Sequence, residues 1–323
     1  MTRISLGPLL TGMVLAGTIV LAALGPARAE TLKLAVGQRG NWDTSVAELG
    51  QRAGIFKRHG LELEILYTSG GGETQQAVLA RSVDIGVAAG ALGVLGAAAK
   101  GAPVRIIGGE TTGAADLFWY VPAASPLKTA TDLAGKTVAF STVGSSTDAV
   151  GRMAMTQYAT AFKMVATGSP AATYTQAMSG QIDVGWSAAP FGVEALRDGK
   201  TRVIFRGSDI AAAQEQTIRV LLTHATVLAQ KKPLLVAFMA AYRETVDAMY
   251  ADDAVLKDYA VFAGIPEAVA RQTRDQFFPK AAIDPDRIQG LTAVMEDGVR
   301  FKFMTAPLSP EQLARVVVAA ELK

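Results

Sequence analysis

The chain contains no cysteine among its 323 residues, so no disulfide can form and no metal can be held by thiolates. It has only two histidines, His59 and His224, and neither has metal-type spacing to the other or to a pair of carboxylates. The G-x-S-x-G turn of serine hydrolases is also missing. These absences predict no catalytic residue, no metal site and no cofactor, and therefore a protein that is not an enzyme.

An excess of charge of one sign is also missing. The chain has 31 Lys and Arg against 29 Asp and Glu. Two of the basic residues fall within the first 29 residues, which hold no acidic one, so the remainder is close to neutral. Binding to nucleic acid or to an anionic membrane surface needs a basic face, and the balance therefore predicts neither partner.

Only one long apolar run is present, from Leu9 to Leu24, and it follows Arg3 in a short polar start. Ala27-Arg28-Ala29 then supplies the small-x-small pattern of a cleavage site. We expect residues 1–29 to be a signal peptide, cleaved after Ala29, although an uncleaved anchor is the alternative. The mature chain is expected to be a monomer in the periplasm, not embedded in the membrane.

The most informative feature is a sequence motif that occurs twice. Thr74–Ala89 reads TQQAVLARSVDIGVAA, and Thr173–Ala188, 99 residues further on, reads TYTQAMSGQIDVGWSA. Each copy predicts a helix that feeds a short buried strand with small residues at its carboxyl end. Two such units predict two similar α/β lobes, and the cleft between two lobes is a natural place for a small ligand.

The order of predicted elements extends this division. Strands and helices alternate from Leu32 to Gly108, as in a parallel sheet covered by helices, and a second series starts at Leu117. Asp43 or Thr44 should cap the first helix, and Pro233, Pro266 and Pro285 suit the first turns of later helices. The expected organisation is a signal peptide at 1–29, the first part of lobe one at 30–112, lobe two at 113–213, and a return to lobe one with C-terminal helices at 214–323.

Five short motifs carry a family resemblance, and in order they are Glu48–Phe56 with Gly60-Leu61, Gly70–Gly72, Val83–Gly86, Asp132–Ala139 and Gly180–Val184. The chain resembles periplasmic substrate-binding proteins of ABC importers, in the branch of nitrate, sulfonate and taurine binders and NMT1/THI5-like proteins. The resemblance implies a type II periplasmic-binding fold, two lobes joined by two crossings, and a small-molecule ligand delivered to ABC permease membrane subunits. It also implies that loops at the carboxyl ends of the strands hold the ligand, where open parallel sheets generally bind ligands.

Two glycine-containing loops in the first half of the chain are candidate cleft walls. Asn41 and Trp42 follow the first strand, although Trp42 could instead be a helix-entry staple. Gly70, Gly71 and Gly72 precede a helix, so their backbone N–H groups could approach an anionic ligand. Glu73 weakens this second expectation because its carboxylate can occupy the same positive helix end.

A Ser/Gly-rich loop is the stronger candidate for binding an anion. Hydroxyl groups and free N–H groups converge at a predicted helix start, as in phosphate loops, but no Gly-Lys-Ser/Thr follows. The ordinary alternative is N-capping by Ser146 or Thr147, which accounts for only one or two of the hydroxyls. The candidate residues in this loop are Ser141, Thr142, Gly144, Ser145 and Ser146.

The remaining candidates lie near the repeated strands and the first crossing between lobes: Ala89, Gly90, Thr111, Thr112, Tyr174, Trp186 and Ser187. Trp186 stands where the first copy has Val87, and either a cleft wall or core packing explains it. Asp84 and Asp183 recur at equivalent positions, which a structural turn explains better than ligand contact. Arg39 is the only obvious cation in a predicted cleft loop.

The sequence thus predicts a periplasmic solute-binding component of an ABC importer. The Ser/Gly-rich loop favours an anionic organic solute such as a sulfonate or a carboxylate, and the aromatic residues favour a flat or apolar body. The alternative is an enzyme or a sensor on the same bilobed fold, acting on or sensing, for example, a pyrimidine precursor. The predicted signal peptide favours the binding protein because synthesis of such a precursor is cytoplasmic.

Overall fold

The computed structural model describes Met1, Thr2 and residues 29–323, so the predicted signal peptide lies almost entirely outside the described residues. Within the described part, no helix is long and apolar enough to cross a membrane. The strands are β1 (Glu30–Gly37), β2 (Leu61–Thr68), β3 (Ile85–Gly90), β4 (Val104–Thr112), β5 (Leu117–Pro122), β6 (Thr137–Phe140), β7 (Lys163–Ala166), β8 (Gly185–Ala188), β9 (Thr201–Arg206) and β10 (Thr217–His224).

Helices separate most of these strands and make up most of the chain after β10. They are α1 (Val46–Arg52), α2 (Ile55–Arg58), α3 (Gly71–Leu79), α4 (Ala91–Ala99), α5 (Ser146–Gln157), α6 (Pro170–Met178), α7 (Val193–Arg197), α8 (Ala211–Gln214), α9 (Ala225–Ala251), α10 (Asp253–Ala263), α11 (Glu267–Gln272), α12 (Leu291–Arg300) and α13 (Pro310–Val316). The helices of the two repeat copies, α3 and α6, occupy the places that the duplicated motif predicts.

The first lobe is built on a five-stranded sheet in the order β2-β1-β3-β10-β4. Strand β1 runs parallel to β2 and β3, whereas β10 runs antiparallel to both β3 and β4. The chain leaves this sheet after β4 and comes back to it as β10.

The second lobe repeats that layout. Strands β6 and β7 are parallel, β5 is antiparallel to β8 and β9, and a parallel bridge from Val138 to Val184 joins the two groups. Counting the bridge, the order is β7-β6-β8-β5-β9, which matches the first lobe strand for strand. The predicted α/β class with two similar lobes is confirmed. The expected parallel sheets each contain one antiparallel strand, because a continuous apolar run reveals burial but not direction.

The C-terminal helices pack on the first lobe. Phe238 of α9 stacks on Phe56 of α2 with ring centroids 5.5 Å apart, and Val318 N donates to Ile106 O of β4 at 2.9 Å. Helix α9 has a kink at Lys231, so Pro233 lies inside a helix that begins earlier than predicted. The lobe boundaries given by the sequence stay a prediction.

Two predicted helix starts are wrong. Pro285 begins no helix: its carbonyl accepts from Gly109 N at 3.0 Å, along β4, and the next helix starts only at Leu291. At the other end of the chain, α1 begins at Val46 and has no side-chain cap. Thr44 Oγ1 donates instead to Gln38 O at 2.6 Å, and Asp43 pairs with an arginine of β10.

Candidate functional site

A buried cavity lies between the lobes, at the carboxyl ends of β1 and β3 and of β6 and β8. Its volume is about 30 Å³, which is room for about one water molecule. The lobes are therefore in contact in this structure. The lining residues are Gly37, Gln38, Asn41, Asp43, Thr44, Gly70, Gly71, Ala88, Leu117, Ser141, Ser145, Ser146, Thr147, Trp186, Ala188 and Arg219.

Arg219 of β10 is the centre of a buried charge cluster at this cavity. Its Nη1 donates to Asp43 Oδ2 at 2.8 Å and its Nη2 to Asp116 Oδ2 at 2.7 Å. Its Nε donates to Ser146 Oγ at 3.0 Å. Glu110 lies beside this group, and Thr111 Oγ1 is 3.0 Å from Glu110 Oε2 and 3.3 Å from Asp43 Oδ2. Arg219 thereby connects β10 of the first lobe with Asp116 and Ser146 of the second.

Burial dominates the protonation of this cluster. It raises the pKa of Glu110 well above its ordinary value, and the neighbouring Asp43 raises it further. Burial also raises the pKa of Asp116 to about 6, even though the Arg219 guanidinium lowers it. For Arg219 itself, burial opposes the charge, but Asp116, Asp43 and Glu110 outweigh burial and raise the pKa. Arg219 therefore stays charged, and Glu110 favours its protonated form.

Several buried polar atoms around the cavity have no protein partner. They include Asn41 Oδ1, Asp43 Oδ1 and Trp186 Nε1 in the cavity wall, and Glu110 Oε1 and Asp116 Oδ1 behind it. Buried polar groups in folded proteins almost always have a hydrogen-bond partner. A concentration of such atoms at one inter-lobe cavity is therefore typical of a binding site rather than of packing.

The Ser/Gly-rich loop reaches the cavity, but its hydroxyls are already engaged. Ser145, not Ser146 or Thr147, is the N-cap of α5 and accepts from Asp148 N at 3.2 Å. Thr147 Oγ1 lies 2.9 Å from both Ser141 Oγ and Ser145 Oγ. Asp148 is fully buried in the first turn, where its Oδ2 accepts from Gly144 N at 3.0 Å. The positive end of this helix already has its carboxylate.

The Gly70–Gly72 loop faces the Ser/Gly-rich loop across the cleft. Gly70 and Gly71 line the cavity, whereas Gly72 N donates to Thr142 Oγ1 of the other lobe at 3.0 Å. Glu73 Oε2 accepts from Ser69 N at 2.8 Å, which satisfies part of this helix start. Gly72 and Thr142 thus connect the two lobes outside the cavity wall.

Three aromatic or hydroxyl candidates lie away from the cavity. Trp42 is in the core of the first lobe, where its Nε1 donates to Tyr250 Oη at 3.0 Å and its ring meets Tyr259 edge-on. Tyr174 lines a separate surface pocket on the second lobe. Ser187 points to that side as well, and its Oγ donates to Phe191 O at 2.9 Å.

Four further candidates and Gly144 are placed next to the cavity but do not line it. Ala89 and Gly90 pair with Val220 and Arg219 in the sheet. Gly90 also packs against the backbone of Gly144 in the other lobe. Thr111 contacts the charge cluster as described above, and Thr112 Oγ1 lies 2.9 Å from Thr217 Oγ1.

The cation in the cleft is Arg219, whereas the sequence pointed to Arg39. The Arg39 guanidinium carbon lies 4.2 Å from the Phe262 ring centroid, on the first lobe. The charge cluster of Asp43, Glu110, Asp116 and Arg219 was the part that sequence reasoning missed. One signal was available: Arg219 stands alone in the buried apolar run from Ile218 to Leu222, where a charged residue needs a partner.

Two α/β lobes with this strand order and a cavity between them define the bilobed fold of periplasmic binding proteins. A sequence model of the NMT1/THI5-like family matches residues 46–254, which is more than half of the chain. The chain belongs to that family. No curated protein matches its sequence.

Solved structures agree on the fold. The alkanesulfonate-binding protein SsuA from Xanthomonas axonopodis pv. citri, bound to MOPS, has a TM-score of 0.68 at 21% identity, covering 90% of this chain and 96% of its own. The periplasmic nitrate-binding protein NrtA from Synechocystis PCC 6803 has a TM-score of 0.69 at 12% identity, with 90% and 86% covered. The desulfurization enzyme DSZB has a TM-score of 0.62 at 16% identity, with 88% and 95% covered. Binding proteins and an enzyme thus share this fold.

Proposed function

We propose that the mature chain is the periplasmic solute-binding component of an ABC importer. It binds a small organic solute between its lobes and delivers it to the membrane permease subunits. The observation that carries this proposal is the inter-lobe cavity, whose wall holds buried, unpartnered polar atoms of Asn41, Asp43 and Trp186. Membership of the NMT1/THI5-like family supports it.

Binding requires the lobes to move. A cavity of about 30 Å³ is far smaller than the few hundred Å³ of ordinary ligand pockets. The lobes touch through small groups, among them Gly72 with Thr142, and a Cβ added to Gly93 would lie 2.4 Å from Gly144 O. The protein therefore opens to admit the solute and closes around it, and the permease selects the closed form.

The sequence favours an anionic solute, a sulfonate or a carboxylate. The names of two similar structures, an alkanesulfonate-binding and a nitrate-binding protein, agree with an anion. The charges at the cavity favour a different class of solute, because the buried carboxylates of Asp43 and Asp116 outnumber the single guanidinium of Arg219.

The proposal includes export and cleavage after Ala29, with a monomer as the working form. Mass spectrometry of a periplasmic extract should detect a chain that begins at Glu30. A chain that stays in the membrane with Met1 intact contradicts export.

The alternative is an enzyme or a sensor on the same fold, and the similarity to DSZB favours considering an enzyme. Among the described residues, the cavity hydroxyls of Ser141, Ser145 and Thr147 bond to one another. His59 pairs with Glu244 on the surface, and His224 accepts from Thr226 N at the start of α9. These positions support binding over hydrolysis. A sensor would share every feature of the cavity and differ only in its partner.

Solution scattering with a thermal-shift screen of sulfonates, aromatic carboxylates, pyrimidines and small amines tests the proposal. A solute that raises the melting temperature should also reduce the radius of gyration. Gly93→Ala should keep the lobes apart, with at least a tenfold loss of affinity, whereas Ala99→Ser on the exposed end of α4 should change neither. Turnover of any of these solutes in place of closure would favour the enzyme.

A further inference from the structure

Negative charge outnumbers positive charge at the cavity. Asp43, Glu110, Asp116 and Arg219 are all more than nine-tenths buried. Even with Glu110 protonated, two carboxylates face one guanidinium.

Arg219 is already shared among three acceptors of the chain itself. Its Nε, Nη1 and Nη2 donate to Ser146 Oγ, Asp43 Oδ2 and Asp116 Oδ2. One N–H on each Nη remains, but an anion that approached it would also meet the two buried carboxylates paired with the same guanidinium, and like charges at short range repel.

The helix starts at the cleft already lie next to carboxylates of the chain. Asp148 in the first turn of α5 accepts from Gly144 N, and Glu73 in the first turn of α3 accepts from Ser69 N, so the positive end of each helix is partly neutralised. The hydroxyls of Ser141 and Ser145 are bound to Thr147. The two loops that the sequence offered as anion sites therefore already hold anionic groups.

The buried side-chain atoms without a partner also favour a solute that donates hydrogen bonds. Asn41 Oδ1 and Asp43 Oδ1 in the wall are acceptors, and an ionised carboxylate has no hydrogen to donate. In the described part of the chain, Trp186 Nε1 is the one donor among the buried side-chain atoms of the wall that have no partner. Trp186 also offers an aromatic face close to the apolar groups of Ala88 and Leu117, and a cation is attracted to such a face.

We propose that the cleft binds a small organic cation or a solute rich in N–H donors, placed against Asp43 and Asn41 with its body near Trp186. This inference rests on the proposed function, because it assumes that the inter-lobe cavity is the solute site. It assigns the positive or donor end of the solute to the first lobe. The indole N–H of the second lobe is left for a single acceptor.

Matched probes of opposite charge test the inference on the mature protein. Benzamidinium, benzoate and benzenesulfonate share one flat ring and differ in the head group. By calorimetry at neutral pH we expect benzamidinium to bind at least tenfold more tightly than either anion. Stronger binding of benzoate or benzenesulfonate overturns the cation and leaves the proposed function standing.

The same three probes separate the two proposals further. If none binds but another solute of the screen reduces the radius of gyration, the charge of that solute decides this inference: an anion overturns it, and a cation or N–H-rich solute supports it. If no solute binds or closes the lobes, both proposals fail together.

Two substitutions should affect the binding of a cation and of an anion in opposite ways. For a cation, Asp43→Asn should weaken benzamidinium binding at least tenfold, while Trp186→Phe, which removes the indole N–H and part of the ring but keeps an aromatic face, should change it less than threefold. For an anion the order reverses, since Asp43→Asn removes a repulsive charge and Trp186→Phe removes a donor. Trp186→Phe keeps the test decisive if Asp43→Asn does not fold, because a tenfold loss there contradicts the cation.

Discussion

The two lobes share one hydrogen-bonded framework, repeated at a spacing of 99 residues. In the first lobe Thr74 Oγ1 lies 2.8 Å from Thr68 Oγ1 and 3.4 Å from Gly70 O. In the second, Thr173 Oγ1 lies 2.6 Å from Thr167 Oγ1 and 2.9 Å from Ser169 O. In both lobes the buried threonine lies in the first turn of the repeat helix and connects that turn to the end of the preceding strand.

The repeated aspartates at the other end of the motif also form hydrogen bonds that hold the framework together. Asp84 Oδ2 accepts from Lys33 N of β1 at 3.0 Å, and Asp183 Oδ2 accepts from Thr137 N of β6 at 2.8 Å. Each carboxylate therefore attaches the chain just before the repeated strand to another strand of its own lobe, β1 in the first lobe and β6 in the second. Neither lines the cavity, in agreement with the structural role expected from the sequence.

The lobes differ where they face each other. Trp186 of the second lobe stands opposite the small residues at the end of β3, and it occupies the repeat position of Val87. Arg219 and Asp43 belong to the first lobe and have no counterpart at the cavity in the second. Residues that the repeat preserves hold the framework, and residues that break the repeat form the site.

The largest effect is expected from Arg219, which joins the lobes and neutralises the cluster. Arg219→Met leaves the buried Asp43 and Asp116 without their cation, which should lower the free energy of unfolding by about 3–5 kcal/mol. The surface pair of Arg243 with Asp286 serves as the control, and Arg243→Met should cost about 1 kcal/mol or less. Urea unfolding measures both. Equal losses of unfolding free energy in the two variants would mean that water solvates the charge cluster as it solvates the surface pair. The site would then not differ from the rest of the molecule in the way that the comparison of the lobes indicates.

The framework was largely predictable from the sequence because it depends on local signals. The [Val/Ile]-Asp-[Ile/Val]-Gly motif and its preceding helix located β3, α3, β8 and α6. Small residues such as Gly70, Gly71, Ser141 and Ser145 line the inter-lobe cavity, since loops at the carboxyl ends of strands meet there, and ligand binding by them stays a prediction.

The chemistry of the site was not predictable in the same way. Asp43, Asp116 and Arg219 are distant in sequence and meet only because β10 inserts between β3 and β4. From the sequence, Asp43 has the position of a helix cap and Trp42 that of a cleft wall. In the structure, the rings of Tyr250 and Tyr259 enclose Trp42 in the core of the first lobe. Side-chain pairs that join the lobes depend on the tertiary structure, so a local sequence pattern does not predict them.

The repeated threonines allow a matched test of the framework. Thr74→Val and Thr173→Val each remove one buried hydroxyl, while Thr68 and Thr167 keep a carbonyl acceptor in Gly70 O and Phe140 O. Each substitution should lower the free energy of unfolding by about 1 kcal/mol. The double variant should lose the sum within about 0.5 kcal/mol, because the sites lie in different lobes.

Thr175→Val, on the exposed face of α6, is the control for this pair and should change stability by less than about 0.5 kcal/mol. A loss at one threonine of the pair without a similar loss at the other would show that only one copy of the repeat supports its lobe.

A similarly small effect is expected on the pH dependence of stability. Burial raises the pKa of Asp116 to about 6 from an ordinary 3.8, despite Arg219. A carboxyl whose folded-state pKa is raised binds its proton more tightly in the folded protein than in the unfolded chain. Its favourable contribution is therefore complete below the ordinary pKa and is lost as the pH rises through about 6.

Asp116→Asn isolates this contribution, since the other titrating groups, including Glu110 and Asp43, are present in both proteins. Between pH 5 and pH 7 the wild type should lose about 1 kcal/mol of unfolding free energy relative to the variant. Urea unfolding at a series of pH values measures the difference. If the ion pair with Arg219 instead held the pKa below its ordinary value, the difference would stay flat across this range. Asp116 and Arg219 would then form a solvated ion pair like those on the lobe surfaces. The carboxyl groups whose excess negative charge favours a cationic solute would be fully ionised rather than partly protonated.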